Sequence, residues 1–258
     1  MRTLSLLIGL LSANFLLAQK ASLPPTAQQI LDRYVKVTGG KIAYAKVKTV
    51  TMIGMMEIKG QNVRGEMKMY RVDGGKYYTV VDLPGVGKQE DGSDGITVWD
   101  KTVLGPRLKS GEEKFLAACA TSAMSEYQRS ATELSKCYSK FEFSGEEKIA
   151  GKVYQKLTLT PKLGKPELQY YEKLTGLLWR TKLILPSPMG DVPIVVVIEE
   201  YKTVDGIVTP VKLTNQMGPM EMGVTFSTVK FNDKLPESLF VLPEDIQALV
   251  EAEKKATP

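Results

Sequence analysis

The chain of 258 residues contains no histidine. That absence removes Ser-His-Asp and Cys-His nucleophilic machinery, removes His-containing zinc or iron sites, and leaves no imidazole base working near neutral pH. Cysteine is nearly missing too, with only Cys119 and Cys137. Such a pair is too few for a thiolate metal centre, and with no histidine to activate either thiol a catalytic cysteine is not expected. In an exported chain the pair fits a disulfide closing a loop worth about 3 kcal/mol in the chain-entropy model, or else two buried thiols. Runs of like charge are also absent. Lys plus Arg number 34 against 29 Asp plus Glu, a formal +5 spread along the chain, so nucleic acid is not indicated as a partner. No metal and no cofactor is expected.

What is present at the N-terminus reads as an export signal. Residues 1–19 carry Arg2, an apolar stretch from Leu4 to Leu17, and Ala18-Gln19 as a processing site. No later segment reaches the ~18 uninterrupted apolar residues of a membrane-spanning helix. An exported, periplasmic protein, soluble after cleavage, is the expectation, with residues 20–258 as one domain and a monomer as its state.

Within that domain, Thr26 and Gln29 have capping-box spacing, and Ile30, Leu31, Tyr34 and Val35 form one face of a helix over 26–38 that Gly39-Gly40 stops. From Val47 the hydrophobic period changes to two. Strands are expected at 47–59, 63–72, 76–82 and 95–100, then after an interruption at 138–149, 152–161, 167–173, 177–185, 192–203, 207–217 and 220–231, with turn residues between them. The interruption, 110–136, lacks Pro and Gly after Gly111 and places Phe115, Cys119, Ala123 and Tyr127 on one side of a helical insertion. A last helix over 243–255 opens with Pro243, Glu244 and Asp245. About eleven strands in one meander accumulate twist and cannot remain flat. The predicted fold class is therefore mainly β with α+β character: one large curved antiparallel sheet, an unclosed β-barrel, with a helical lid or plug.

Catalytic patterns are weak. Gly85-Val86-Gly87-Lys88 lacks the other elements of a phosphate loop and reads as a turn. Tyr78, Glu90 and Lys182 are the residues a cofactor-free small-molecule enzyme would use, but their spacing carries no signal. The feature above background is soft and apolar. Eleven methionines include Met52, Met55, Met56, Met67 and Met69 on two neighbouring strands, and Met217, Met220 and Met222 across a hairpin. Methionine adapts to irregular ligands and recurs at promiscuous surfaces. The expected lining of an apolar pocket is Met52, Met56, Met67, Met69, Trp179, Leu183, Val196 and Met222, with Phe115 and Leu116 from the lid. Ordinary packing between sheet and helices is the competing account of the same residues.

Several segments together resemble a known family: Thr38-Gly39-Gly40, DLPGVGK (82–88), SDGITVWD (93–100), GPRLKSGEE (105–113), TPVKL (209–213) and SLFVLP (238–243). The order resembles the bacterial outer-membrane lipoprotein-sorting-like proteins of the LolA/LolB fold, over nearly all of the mature chain. The resemblance implies an unclosed β-barrel with an α-helical lid whose concave face holds an acyl chain, a phospholipid or a lipoprotein. The same fold serves as an envelope sensor that binds a protein partner and, in one pigment pathway, as a cofactor-free enzyme. It also implies a buried arginine controlling the lid, for which Arg64, Arg71, Arg107 and Arg180 are the candidates by location near apolar strands.

Overall fold

The computed structural model describes residues 24–124, 134–185 and 190–256. The export signal expected at 1–19, and Tyr127 of the insertion, lie outside them.

The chain enters through α1 (Ala27–Val37), whose capping box forms as the spacing predicts: the Gln29 amide donates to Thr26 Oγ1 at 3.2 Å and the Thr26 amide to Gln29 Oε1 at 2.8 Å. Gly39, with φ of +134°, breaks the helix but does not end helical structure. A short α2 (Gly40–Ala45) follows where a stop alone was expected.

Thirteen strands then form a single antiparallel sheet: β1 (Thr49–Ile58), β2 (Val63–Val72), β3 (Lys76–Leu83), β4 (Gly87–Asp94), β5 (Val98–Thr102), β6 (Gly105–Lys109), β7 (Tyr138–Ile149), β8 (Lys152–Pro161), β9 (Glu167–Glu172), β10 (Leu178–Leu185), β11 (Val192–Val204), β12 (Ile207–Met217) and β13 (Met220–Phe231). The two strands beyond the expected number have physical reasons for being faint. In β4, KQEDGSD offers no apolar alternation, and in β6 Pro106 is tolerated because the strand lies at the sheet edge. The expected strand start at Gly95 moves to Val98, because Asp94 Oδ1 accepts from the Ile96 and Thr97 amides and holds a turn there.

The spatial order is β6-β5-β4-β3-β2-β1-β13-β12-β11-β10-β9-β8-β7. Two meanders, an N-terminal arm of β1–β6 and a C-terminal arm of β7–β13, are joined by the β1–β13 pair. Sequence neighbours β6 and β7 are thus the two free edges, and the sheet does not close. The chain between them carries α3 (Gly111–Met124). After β13, a 3-10 turn at Glu237–Phe240 lies on β3 and β4, and α4 (Glu244–Ala256) lies on β6, while the Lys101 ammonium of the neighbouring β5 meets Asp245 at 2.7 Å.

The sheet curls because two glycines let neighbouring backbones fold inward. A Cβ on Gly54 would stand 2.1 Å from the Thr225 carbonyl oxygen, and one on Gly65 only 1.7 Å from that of Asp82. Gly54 sits at the irregularity in the β1–β13 register, a bulge that sharpens the local twist. On the inner face of the C-terminal arm, α1 supplies Ile30, Leu31 and Tyr34 to a core with Leu157, Leu159, Tyr171 and Leu178. Arg33 fastens it, donating to the Lys173 and Leu174 carbonyls at 2.7 and 2.8 Å. Among the described residues no helix is long and apolar enough to cross a membrane.

Candidate functional site

The inner face of the N-terminal arm is built differently. Cross-strand pairing sets Met52 opposite Met69, Met67 opposite Gly54 and Met56 opposite Gly65, so four methionines of β1 and β2 share one surface. Met67 and Met69 are buried, while Met52 and Met56 are half-buried. They border a cavity of about 150 Å³ completed by Val50, Arg71, Thr209, Pro210, Leu213, Asn215, Val224 and Phe226. Every one of these residues belongs to β1, β2, β12 or β13. A hollow made by four contiguous strands exists only because the sheet is curved there, and among the described residues no helix side chain enters it.

A second cavity of about 340 Å³ shares Val50 and Arg71 with the first. Its walls come from Tyr44 of α2, Val47 and Lys48 after it, the turn at Asp73-Gly74-Gly75, the β3–β5 residues Tyr77, Ser93 and Val98, and Lys114 and Ala118 of α3. Helix α3 is held near its start and at its middle. Arg107 makes two bonds to Asp100, at 2.9 and 2.8 Å, and reaches Glu113 at 2.8 Å, while Lys109 bonds Asp91. Cys119 and Cys137 form a disulfide with Cα atoms 5.7 Å apart, tying α3 to the start of β7.

Of the expected lining, then, Met52, Met56, Met67 and Met69 come together on one cavity. Met222 packs against the same apolar cluster without bordering the hollow. Val196 and Leu183 lie further round the inner face, Val196 opposite Asn215 and Leu183 opposite Ile194. Phe115 is half-buried and Leu116 is 39% exposed, and neither borders a cavity. Lys114 and Ala118 of the same helix border the larger cavity instead, because the described part of α3 crosses its mouth.

Trp179 requires a correction. It lies on the outer face, stacked on Tyr154 at 4.3 Å with the Arg180 guanidinium 3.9 Å from its ring centre. The register of β10 on β9 slips between Leu178 and Arg180, so Trp179 and Arg180 both turn outward while Leu178 turns in. Of the four candidate arginines, Arg71 alone borders the two cavities: Arg64 is exposed beside Glu57, Arg107 is engaged as above, and Arg180 is outside.

Of the residues weighed for catalysis, Tyr78 and Glu90 meet and Lys182 does not join them. Tyr78 donates to Glu90 at 2.5 Å on the outer face of β3 and β4, while Lys182 sits on β10, 5.4 Å from the Tyr170 ring centre. Burial, reinforced by the bond to Glu90, pushes the Tyr78 phenol far above its ordinary range. Burial pushes Glu90 up, but the bonds from Tyr78 and Lys88 outweigh it and hold the carboxyl below its usual value. A phenol so firmly protonated is a poor base, and the pair reads as a structural link between adjacent strands.

No known family pattern and no curated protein matches the sequence. Solved structures do match the fold. A LolA superfamily protein from Nitrosomonas europaea superposes with a TM-score of 0.56 at 14% identity, covering 85% of this chain and 99% of its own. A DUF1329 family protein from Desulfovibrio piger gives 0.54 at 17% identity, over 82% and 95%. An outer-membrane lipoprotein-sorting protein domain from Vibrio parahaemolyticus gives 0.52 at 14%, over 81% and 97%. The chain has the LolA-like fold: an antiparallel sheet of 13 strands, unclosed, with few helices.

Proposed function

We propose that this is an exported, periplasmic, non-enzymatic binder of a lipid or of the acyl chain of a lipidated protein, with the chain held on the inner face of the N-terminal arm. The observation that carries the reading is the methionine cavity, whose described walls are all strand residues. Such a hollow offers flexible apolar side chains and few fixed polar groups, which suits a ligand without a rigid shape. Burial of the chain supplies about 0.8 kcal/mol per methylene, so affinity needs no polar machinery. The likeness to a lipoprotein-sorting domain and a LolA superfamily protein supports the same class of ligand.

The test is denaturing extraction of the protein purified from a bacterial periplasm, followed by mass spectrometry. A stoichiometric fatty acid, phospholipid or acylated peptide is expected, and it should be lost from the Met56→Glu, Met69→Glu double variant. A folded double variant that keeps its lipid would refute the site. An empty wild-type chain that captures an envelope protein would replace lipid binding with a sensor role.

A further inference from the structure

The two cavities meet at Val50 and Arg71, yet their chemistry is opposite. Among the described residues, four cations border the larger one, Lys48, Arg71, Lys76 and Lys114, against a single carboxylate, Asp73. That carboxylate is already engaged, 3.2 Å from the Lys48 ammonium. Among the described residues, neither Lys76 nor Lys114 forms an ion pair. Cations gathered around a hollow repel one another, and low-dielectric walls focus their field on whatever enters. Arg71 is the hinge of this arrangement. Paired across the sheet with Val50 and Tyr77 on the inner face, it borders the apolar and the cationic cavity at once.

We infer that the two cavities are one bipartite site for a single-chain amphiphile with an anionic head, a carboxylate or a phosphate monoester. The alkyl chain lies against Met52, Met56, Met67 and Met69, and the head is held among Arg71, Lys76 and Lys114. Volume sets the number of chains. About 340 Å³ is at the low end of ordinary ligand sites and about 150 Å³ is below it, room for one chain and not for the two or three of a membrane lipid or lipoprotein anchor. Because Lys114 belongs to α3 and the other cations to the sheet and its flanking loop, a bound anion also joins helix to sheet. This inference rests on the chain-binding reading above and adds the charge of the head and the number of chains.

The test uses the delipidated protein and three ligands of equal chain length: decanoate, decyl phosphate and uncharged decanol, compared by displacement of a fluorescent fatty-acid analogue. Both anions are expected to bind at least about tenfold tighter than decanol, a margin that shrinks as salt screens the cations. In Lys76→Gln with Lys114→Gln, two exposed positions, the ratio of anion to alcohol affinity should fall toward one, with a circular-dichroism melt confirming the fold. Equal affinity for all three ligands in the wild-type protein would overturn the anionic head while leaving chain binding intact. Failure of all three to bind would overturn chain binding itself. Full competition by inorganic phosphate at the same concentration would reduce the site to an anion pocket without a chain.

Discussion

On β7–β10 the inner face of the sheet is met by α1, and Leu31, Leu157, Leu159 and Tyr171 are wholly buried between them. On β1 and β2 the same face carries Met52, Met56, Met67 and Met69, and among the described residues no helix side chain enters their cavity. Both arms curl and both present an apolar interior. They differ in what supplies the second layer. A curved sheet must cover its inner face with something. In one arm the chain provides an amphipathic helix, pinned by Arg33 and capped at Thr26. In the other it provides adaptable side chains and leaves space. The arm whose hollow no described helix fills is the one fitted to take a ligand, and the filled arm shows what a ligand would be replacing.

The comparison is tested most directly by truncating one residue from each arm. Leu31→Ala removes a fully buried side chain from a closed interface and should cost about 2–5 kcal/mol in urea unfolding. Met67→Ala widens a hollow that already lacks partner atoms on one side, and should cost about 1–2 kcal/mol, below the range for closed cores. Equal losses would mean that the methionine arm is as tightly packed as the other, and the contrast between the arms would fall.

Curvature is the second point of attack. Gly65→Ala places a Cβ against a backbone carbonyl that cannot swing aside, and should destabilise by about 1–3 kcal/mol. Gly223→Ala is the control: its Cβ would meet only the Lys59 Cε, at 3.6 Å, and a change within about 0.5 kcal/mol is expected. If Gly65→Ala behaves like the control, the close approach of β2 to β3 does not shape the cavity.

The sequence makes one side of this comparison far more legible than the other. The cap at Thr26 and Gln29 and the face of Ile30, Leu31, Tyr34 and Val35 are local signals, and α1 forms as they require. Alternation within β1 and β2 likewise places the four methionines on one surface. The rest of the cavity depends on β1 pairing with β13, strands from opposite ends of the chain, and short-range periodicity says nothing about such a partner. Leu213, Asn215, Val224 and Phe226 therefore carry no sequence signal as lining. Arg71 was visible only as one of four arginines. Trp179 fails for a different reason: strict alternation puts it with Leu183, and a one-residue slip in register reverses its face. Faint strands fail where polarity hides them, as in β4 and β6.

The smallest expected effect concerns the disulfide, and it separates the arms at their open edges. The loop between Cys119 and Cys137 spans a sequence separation of 18, for which constraint of the unfolded chain alone would contribute about 3 kcal/mol. That figure assumes the loop is ordered in the folded protein whether or not the bond exists. Among the described residues, α3 meets the sheet through Arg107–Glu113 and the rim of the larger cavity, and Glu112, Glu113, Lys114 and Leu116 are all exposed. Once the bond is cut, the segment gains freedom in the folded state as well as in the unfolded one, and the two gains largely cancel. Cys119→Ser with Cys137→Ser should therefore lower global stability by under about 1 kcal/mol, while limited proteolysis should open new cleavage between 111 and 137 and leave β7–β13 intact. A loss near the full entropic value, with no new cleavage, would show α3 to be as firmly seated on its arm as α1 is on the other.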